Sequence, residues 1–416
     1  MPPTPHPTRP VARLLRATLI ALAFALPAAA TVPAGATAPP AQRTAEQRTA
    51  EQRTGEQPAT EPTAQRTTQR AALGWLHTRG NRIVNAKGKV RRIKAISWFG
   101  LETEICAPHG LWQESLDSIV DRIAGFGFNT IRLPYANTCL RDAVASSIDL
   151  VQNPDLAGLT PLEVMDAVVA SARERGLRVI LDRHRPDTSA QSELWYTDTI
   201  SQKRWINDWK RLARRYAEEP AVVGFDLHNE PHGQACWGCA DRSRDWARAA
   251  TRAGNAVLAV NPRLLILVQG VERQRSGAGD TWWGGGLADA RSRPIRLKVA
   301  HRVVYAPHAY PPSIFRQPWF DAANYPGNLP KQWNRTWGFL HHTKSAPVLL
   351  GEFGSRFETV EDRQWMRKMI GYLDKNKMSF GYWSYNPNSA DTGGIVLDDW
   401  RTPAERKLRF LEPLLG

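Results

Sequence analysis

From about residue 74 onwards, short runs of β-branched and aromatic residues alternate with longer amphipathic stretches. This alternation is typical of repeated strand–helix units. The sequence predicts eight such strands, which are Lys94–Phe99, Thr130–Tyr135, Arg178–His184, Val222–His228, Leu264–Gln269, Arg302–His308, Val348–Phe353 and Phe380–Tyr385.

The stretches between these strands show helical periodicity and helical start and stop signals. Thr160 and Glu163 form the two ends of a capping box, Pro161 occupies the first helical position, and Gly176 follows the end of that helix. The predicted helices are Leu111–Phe126, Pro161–Arg175, Lys203–Ala217, Trp246–Val260 and Glu361–Tyr372.

Eight strand–helix units over this length predict an α/β fold, a (β/α)8 TIM barrel. Before the first strand, Trp75–Ile83 and Val90–Ile93 flank the turn 85–88, which predicts a short N-terminal β-hairpin that closes the bottom of the barrel. A doubly wound open sheet would also alternate strands and helices. It is disfavoured because no Gly-x-Gly-x-x-Gly fingerprint follows the first strand.

The first 72 residues differ from the rest of the chain. Residues 1–30 combine Arg9, Arg13 and Arg16 with an apolar run and small-residue cleavage sites, which predicts a secretory signal peptide and an extracellular protein. A membrane anchor is the alternative, but the run is shorter than the roughly 20 residues that span a bilayer. Residues 31–72 are rich in Pro, Thr and Gln and predict a disordered linker. The barrel domain is then expected over 73–416.

The formal net charge of +15 favours anionic neighbours such as cell-wall polymers or nucleic acid. Because the basic residues are scattered and form no recognisable nucleic-acid module, we interpret the charge as solubility and weak surface adsorption. We expect no nucleic-acid partner, no membrane association after signal cleavage, and a monomer.

Four cysteines in an exported chain favour disulfides. Cys236 and Cys239 have the spacing of zinc ligands, yet a matching second pair is missing. A local Cys236–Cys239 bridge and a Cys106–Cys139 bridge between two strand-end loops fit better, and no metal site is expected.

Two glutamates close otherwise apolar strands, where a packed barrel interior would favour apolar side chains. Glu230 follows Val222–His228, and Glu352 lies near the end of Val348–Phe353. Carboxylates facing each other across a barrel mouth suit glycoside hydrolysis, which needs a proton donor and a nucleophile or base. Polar or aromatic residues near other strand ends complete the candidate site, namely Arg132, His184, Asn229, His308, Tyr310 and Trp383.

The candidate roles differ between the two acids. Arg132 and Tyr310 are placed to hold Glu352 ionised, which favours it as nucleophile, whereas Glu230 has no predicted cation beside it and is the acid/base candidate. Sugar rings stack on aromatic faces, and the chain has 16 tryptophans. Trp112, Trp282 and Trp283 lie in loops that open on the catalytic face, and we predict that they contact substrate. Filling of core gaps is the alternative.

In its motifs the chain resembles glycoside hydrolase family 5, and within it the bacterial endo-β-1,4-glucanases (cellulases). The resemblance covers about residues 75–405. The segments that carry it are 96–100 (ISWFG), 109–112 (HGLW), 129–135 (NTIRLPY), 181–186 (LDRHRP), 224–231 (GFDLHNEP), 282–285 (WWGG), 350–354 (LGEFG) and 391–394 (DTGG).

The resemblance implies a retaining double displacement on a β-glucan, with Glu352 as nucleophile, Glu230 as acid/base and no cofactor. It also implies a bridge between strand-end loops, but the expected partner position holds Thr188 and Cys139 lies elsewhere. Ala309, Tyr385 and Asn388 depart from residues typical of similar cellulases, which would reshape substrate subsites. Other family 5 substrates such as mannan or xylan remain alternatives, as does a non-catalytic glycan-binding barrel.

Overall fold

The computed structural model describes residues 73–141 and 143–416. The predicted signal peptide and linker lie outside the described residues. No helix within the described ranges has the length and apolar character needed to cross a membrane.

The predicted (β/α)8 barrel is confirmed. Its eight strands are parallel and follow one another in chain order around the sheet, and the last of them pairs with the first. Single bridges from Tyr305 to Val348 and from His308 to Glu352 close the ring between the sixth and seventh strands. The barrel strands are β3 (Lys94–Ser97), β4 (Thr130–Ala136), β5 (Arg178–Arg185), β6 (Val222–Asp226), β7 (Leu265–Val268), β8 (Val303–Tyr305), β9 (Leu349–Phe353) and β10 (Ser379–Tyr382).

A hairpin of β1 (Leu76–Arg79) and β2 (Arg82–Asn85) covers the lower end of the barrel. Leu76 and Ile83 belong to the same buried cluster as the inward-facing side chains of the barrel strands. The hairpin therefore fills the end of the barrel opposite the carboxyl ends of the strands.

The predicted turn at 85–88 is present, and Val84 and Val90 pair antiparallel across it. The segment assigned to the first strand is, however, split by a further turn at Gly80 and Asn81, and Gly80 has φ of +55°. A tight turn of this kind requires positive φ, which glycine adopts without a Cβ penalty. The 85–88 segment forms a second turn, in which the Asn85 side chain accepts from the N–H groups of Lys87 and Lys89.

The five predicted helices are present as α1 (Leu116–Gly125), α2 (Pro161–Glu174), α3 (Gln202–Arg215), α4 (Trp246–Leu258) and α7 (Val360–Lys375). The first begins five residues later than predicted because the Ser115 side chain caps it, accepting from Ser118 N–H. Thr160 and Glu163 form the predicted capping box. Between β8 and β9, helical turns continue through α5 (Leu329–Trp333), a π-helical segment (Asn334–Gly338) and α6 (Phe339–His342).

The sequence prediction missed the C-terminal helix, α8 (Glu405–Leu415). Its buried Leu411 and Leu414 join the main core, and Lys94 Nζ at the start of β3 donates to the Leu415 carbonyl at 2.6 Å. The helix therefore ties the end of the chain to the first barrel strand.

Candidate active site

Side chains from six barrel strands or the residues just after them meet at the carboxyl edge of the barrel, where active sites of this fold lie. All eight residues predicted for the catalytic centre lie in this one connected group. They are Arg132 in β4, His184 in β5, Asn229 and Glu230 after β6, His308 and Tyr310 after β8, Glu352 in β9 and Trp383 after β10.

Both oxygens of Glu352 accept hydrogen bonds from buried donors. Tyr310 Oη donates to Oε2 at 2.6 Å, and the Arg132 guanidinium donates to Oε1. Burial raises the pKa of Glu352, and the cation of Arg132 opposes this rise. The two donors thus stabilise the ionised form of Glu352 more than burial alone would allow.

Glu230 keeps a side-chain exposure of 14%, more than the 3% of Glu352. Burial is the main cause that raises the pKa of Glu230 to about 8. Its closest polar partner is His308, whose Nδ1 lies 2.9 Å from Oε1 of Glu230 and 3.5 Å from Oε2 of Glu352. Burial also lowers the pKa of His308 to about 4, so its ring is neutral near pH 7. Burial thus raises the pKa of both glutamates, and Arg132 contacts the carboxylate of Glu352 directly.

The Arg132 guanidinium forms ion pairs with three carboxylates at the centre of the site. Arg132 Nη2 lies 2.9 Å from Asp226 Oδ2 and 3.1 Å from Asp182 Oδ2, and Nη1 reaches Glu352. All four groups are almost fully buried. Because one positive charge cannot balance three buried negative charges, burial raises the pKa of Asp182 to about 7 and of Asp226 to about 6.

The orientation of the Asn229 amide follows from its partners. Its Oδ1 accepts from Arg132 Nη2 at 3.0 Å, and arginine has only donors, so Nδ2 is left to donate. The Nδ2 group lies 3.4 Å from His184 Nε2, while His184 Nδ1 contacts Asp182 at 2.6 Å. Trp383 stacks on the His184 ring with centroids 5.2 Å apart.

A cleft of about 530 Å³ opens above these groups. Two of the three predicted substrate-binding tryptophans line it. Trp282 packs edge-on against Tyr310, and Trp283 stacks on His232 with ring centroids 3.7 Å apart. Trp112 is not among the residues that line the cleft, and it packs against His109 and Trp400 instead.

The three departures from typical cellulases have different surroundings. Asn388 lines the cleft and its Nδ2 lies 3.0 Å from His109 Nδ1. Tyr385 is fully buried, and its hydroxyl donates to the Trp400 carbonyl at 2.7 Å. Ala309 is buried, and neither it nor Tyr385 lines the cleft. A direct effect on subsites is therefore expected from Asn388 alone of the three.

Among the residues that the structure describes, two groups of side chains offer metal-ligand atoms within 4.8 Å of one another, Asp182 with His184 and Glu352, and Glu230 with His308 and Glu352. Both groups share Glu352, whose two oxygens already accept from Arg132 and Tyr310. The Arg132 guanidinium supplies the positive charge that a metal ion would otherwise bring to this carboxylate. The surroundings therefore suit a carboxylate that reacts with substrate.

Disulfides support the loops around the cleft. Cys106, after β3, pairs with Cys139, after β4, and Cys236 pairs with Cys239 within one loop after β6. No cysteine within the described ranges remains free.

The sequence interpretation missed Gln269, which follows β7 and touches three residues of the site. Its Oε1 accepts from Glu230 N–H at 2.7 Å, and its Nε2 lies 2.9 Å from Asp226 Oδ2 and 3.3 Å from Asn229 Oδ1. A signal was present, because Gln269 closes an apolar run as Glu230 and Glu352 do. His232 was missed as well, and no strand-end pattern marked it.

Comparison with known proteins agrees with this geometry. Residues 84–389 match the cellulase family, glycosyl hydrolase family 5. An endoglucanase of Paenibacillus polymyxa is 49% identical over 351 residues, covering 82% of this chain and 88% of that protein. The major extracellular endoglucanase of Xanthomonas campestris pv. campestris is 39% identical over 360 residues, covering 85% of this chain and 74% of that protein.

Solved structures are similar over the same region. The catalytic domain of the Xanthomonas campestris enzyme superimposes with a TM-score of 0.78 at 39% identity, covering 82% of this chain and all of that domain (100%). A hyperthermophilic endocellulase from Pyrococcus horikoshii gives a TM-score of 0.78 at 34% identity, covering 83% of this chain and 99% of that structure. The barrel, the paired glutamates and these matches together show that the chain belongs to the cellulase family, glycosyl hydrolase family 5.

Proposed function

We propose that this protein is a secreted, retaining endo-β-1,4-glucanase that hydrolyses cellulose-type β-glucans, with Glu352 as nucleophile and Glu230 as acid/base. The observation that carries the proposal is the spacing of the two acids, since one carboxylate oxygen of each lies within 4.8 Å of the other. Retaining enzymes hold their carboxyl groups about 5–5.5 Å apart, whereas inverting enzymes need about 6.5–9.5 Å to admit a water molecule.

In the first step, a Glu352 oxygen attacks the anomeric carbon while the glycosidic C–O bond breaks and the leaving oxygen takes a proton from Glu230. A pKa of about 8 keeps that proton on Glu230 near neutral pH.

In the second step, ionised Glu230 removes a proton from a water molecule, the water oxygen attacks the anomeric carbon, and the ester to Glu352 breaks. Arg132 and Tyr310 stabilise the negative charge that returns to Glu352, because they already donate hydrogen bonds to its two oxygens. Asn229 Nδ2 donates to the sugar hydroxyl beside the reacting carbon, and Trp383, Trp282 and Trp283 offer ring faces to the sugars. Trp112 is an outlying contact for longer chains.

The choice of β-1,4-glucan rests on the named relatives. Purified protein should lower the viscosity of carboxymethylcellulose and barley β-glucan before it acts on mannan or xylan, and proton NMR should show the β-anomer as the first product. Preferential cleavage of mannan would refute the substrate, and an initial α-anomer would refute retention.

A non-catalytic glycan-binding barrel is the second candidate, favoured by the basic charge. Glu352→Gln separates the two, because an enzyme loses turnover and keeps oligosaccharide binding. Absence of turnover in the parent protein would support the binder.

We further propose that residues 1–30 are a cleaved signal peptide, that 31–72 form a linker and that 73–416 form a monomeric catalytic domain. The name of the Xanthomonas relative, an extracellular endoglucanase, supports secretion. N-terminal sequencing of the protein from culture medium should begin near residue 31, and light scattering should give the mass of one chain. Retention of the full chain in the cell membrane would contradict export.

A further inference from the structure

The backbone of Glu230 has an unusual conformation, with φ of +53°. Outside glycine, this left-handed region is uncommon and costs on the order of 1 kcal/mol or more, so surrounding contacts must hold it. The conformation decides where the carboxyl group points, because the side chain departs from the same Cα.

Two side chains hold the two polar backbone groups of Glu230. Gln269 Oε1 accepts from its N–H at 2.7 Å, and His232 Nδ1 lies 2.7 Å from its carbonyl oxygen, to which the ring N–H donates. We call Gln269 and His232 together the backbone clamp. Neither residue touches the carboxyl group of Glu230 in a hydrogen bond among the described residues.

The clamp is itself fixed on both sides. Gln269 Nε2 bonds Asp226 and Asn229, which in turn bond Arg132. The His232 ring stacks on Trp283, which lines the cleft. Little space remains around it, because a Cβ on Gly284 would lie 2.7 Å from Gln269 Oε1 and 3.2 Å from Glu230 Cα.

We propose that Gln269 and His232 are positioning residues for proton transfer, which hold Glu230 in the one backbone conformation that aims its carboxyl group at the leaving oxygen. This inference rests on the acid/base role proposed for Glu230. A change at Gln269 should therefore disturb proton donation to the leaving oxygen and leave the contacts of Glu352 with Arg132 and Tyr310 in place.

The test uses the full chain and two aryl β-cellobiosides. A 2,4-dinitrophenyl leaving group departs without a proton, whereas a phenyl leaving group needs one. Gln269→Leu should lower kcat/KM for the phenyl substrate about 10- to 100-fold, part of the roughly 100- to 10,000-fold that general acid catalysis contributes. Its kcat/KM for the dinitrophenyl substrate should stay close to that of the parent.

Two further variants complete the design. His232→Phe keeps a ring against Trp283 but loses the donor, and it should show the same selective loss. It therefore still tests the clamp if Gln269→Leu does not fold. Gln274→Leu is the matched control, since it removes a side-chain amide from the same loop, and within the described part of the chain that amide bonds only Gly279 and Ala288.

Equal losses on both substrates in Gln269→Leu and His232→Phe, or no loss in either, would overturn the clamp. Glu230→Gln is the reference that separates this failure from failure of the proposed function. If Glu230→Gln itself lacks the selective loss on the phenyl substrate, the acid/base assignment is wrong. If Glu230→Gln shows it and both clamp variants lack it, only the clamp is wrong.

Discussion

The hydrogen bond from Tyr310 to Glu352 provides a quantitative test of how the nucleophile is kept ionised. The Tyr310 Oη to Glu352 Oε2 distance is 2.6 Å, and both side chains are buried. A hydrogen bond to a charged group contributes about 1.5–3 kcal/mol. Since one pKa unit corresponds to about 1.4 kcal/mol, Tyr310→Phe should raise the pKa of Glu352 by about 1–2 units.

The sign of the effect on activity follows from the required charge. Glu352 must be ionised to attack, so the acid limb of kcat/KM against pH should move upward by the same 1–2 units. The measurement is a pH series on an aryl β-cellobioside, in which the position of the limb is read separately from the height of the profile. Burial already raises the pKa of Glu352, so the active range should narrow from its acid side.

Tyr385→Phe is the matched control. It removes a buried tyrosine hydroxyl that donates to the Trp400 carbonyl and that lies outside the cleft. Its acid limb should coincide with that of the parent. An acid limb at the same pH in Tyr310→Phe and the parent would refute the argument that this bond tunes Glu352.

Three other outcomes are expected. The kcat/KM of the parent should fall as pH rises through about 8, because Glu230 must carry its proton, and Glu230→Gln should lack this limb; a limb that persists would assign it to another group. Replacing Cys106 and Cys139 by serine should lower the free energy of unfolding by about 3–4 kcal/mol, judged from the 33-residue separation and measured by urea titration; an unchanged midpoint would contradict the loop-entropy argument. Trp283→Ala should weaken binding of cellohexaose to the Glu352→Gln protein by about tenfold in calorimetry, as expected for a lost ring contact, and an unchanged Kd would remove Trp283 from the substrate site.

The strands and the residues at their ends were predictable because both follow from short-range patterns. A run such as Val222–Phe225 is apolar throughout, and a glutamate soon after it has few structural reasons to be there. Parallel strands in a barrel present their carboxyl ends on one face, so Glu230 and Glu352 could be placed together without knowledge of any contact. The start of helix α2 was equally predictable, since its capping box lies within four consecutive residues, Thr160 to Glu163.

The remaining features depend on information that a local pattern does not contain. The contact of Gln269 with Glu230 N–H depends on the register between β6 and β7 and on a positive φ at a residue that rarely adopts one. The burial of Tyr385 depends on packing against Trp400, and so its departure from related sequences said nothing about subsites. The turn at Gly80 and Asn81 was missed because a second turn, at 85–88, follows it within a few residues.

The contact between α8 and β3 sets a limit on the order in which the protein can fold. Lys94 can donate to the Leu415 carbonyl, and β3 can pair with β10 (Ser379–Tyr382), only once these later segments are present. Both partnerships join segments that lie near opposite ends of the described chain, so they incur a large loop-closure entropy. A nascent chain can accordingly assemble the strand–helix units one after another, but the ring that positions the two glutamates closes only after β10 has been synthesised.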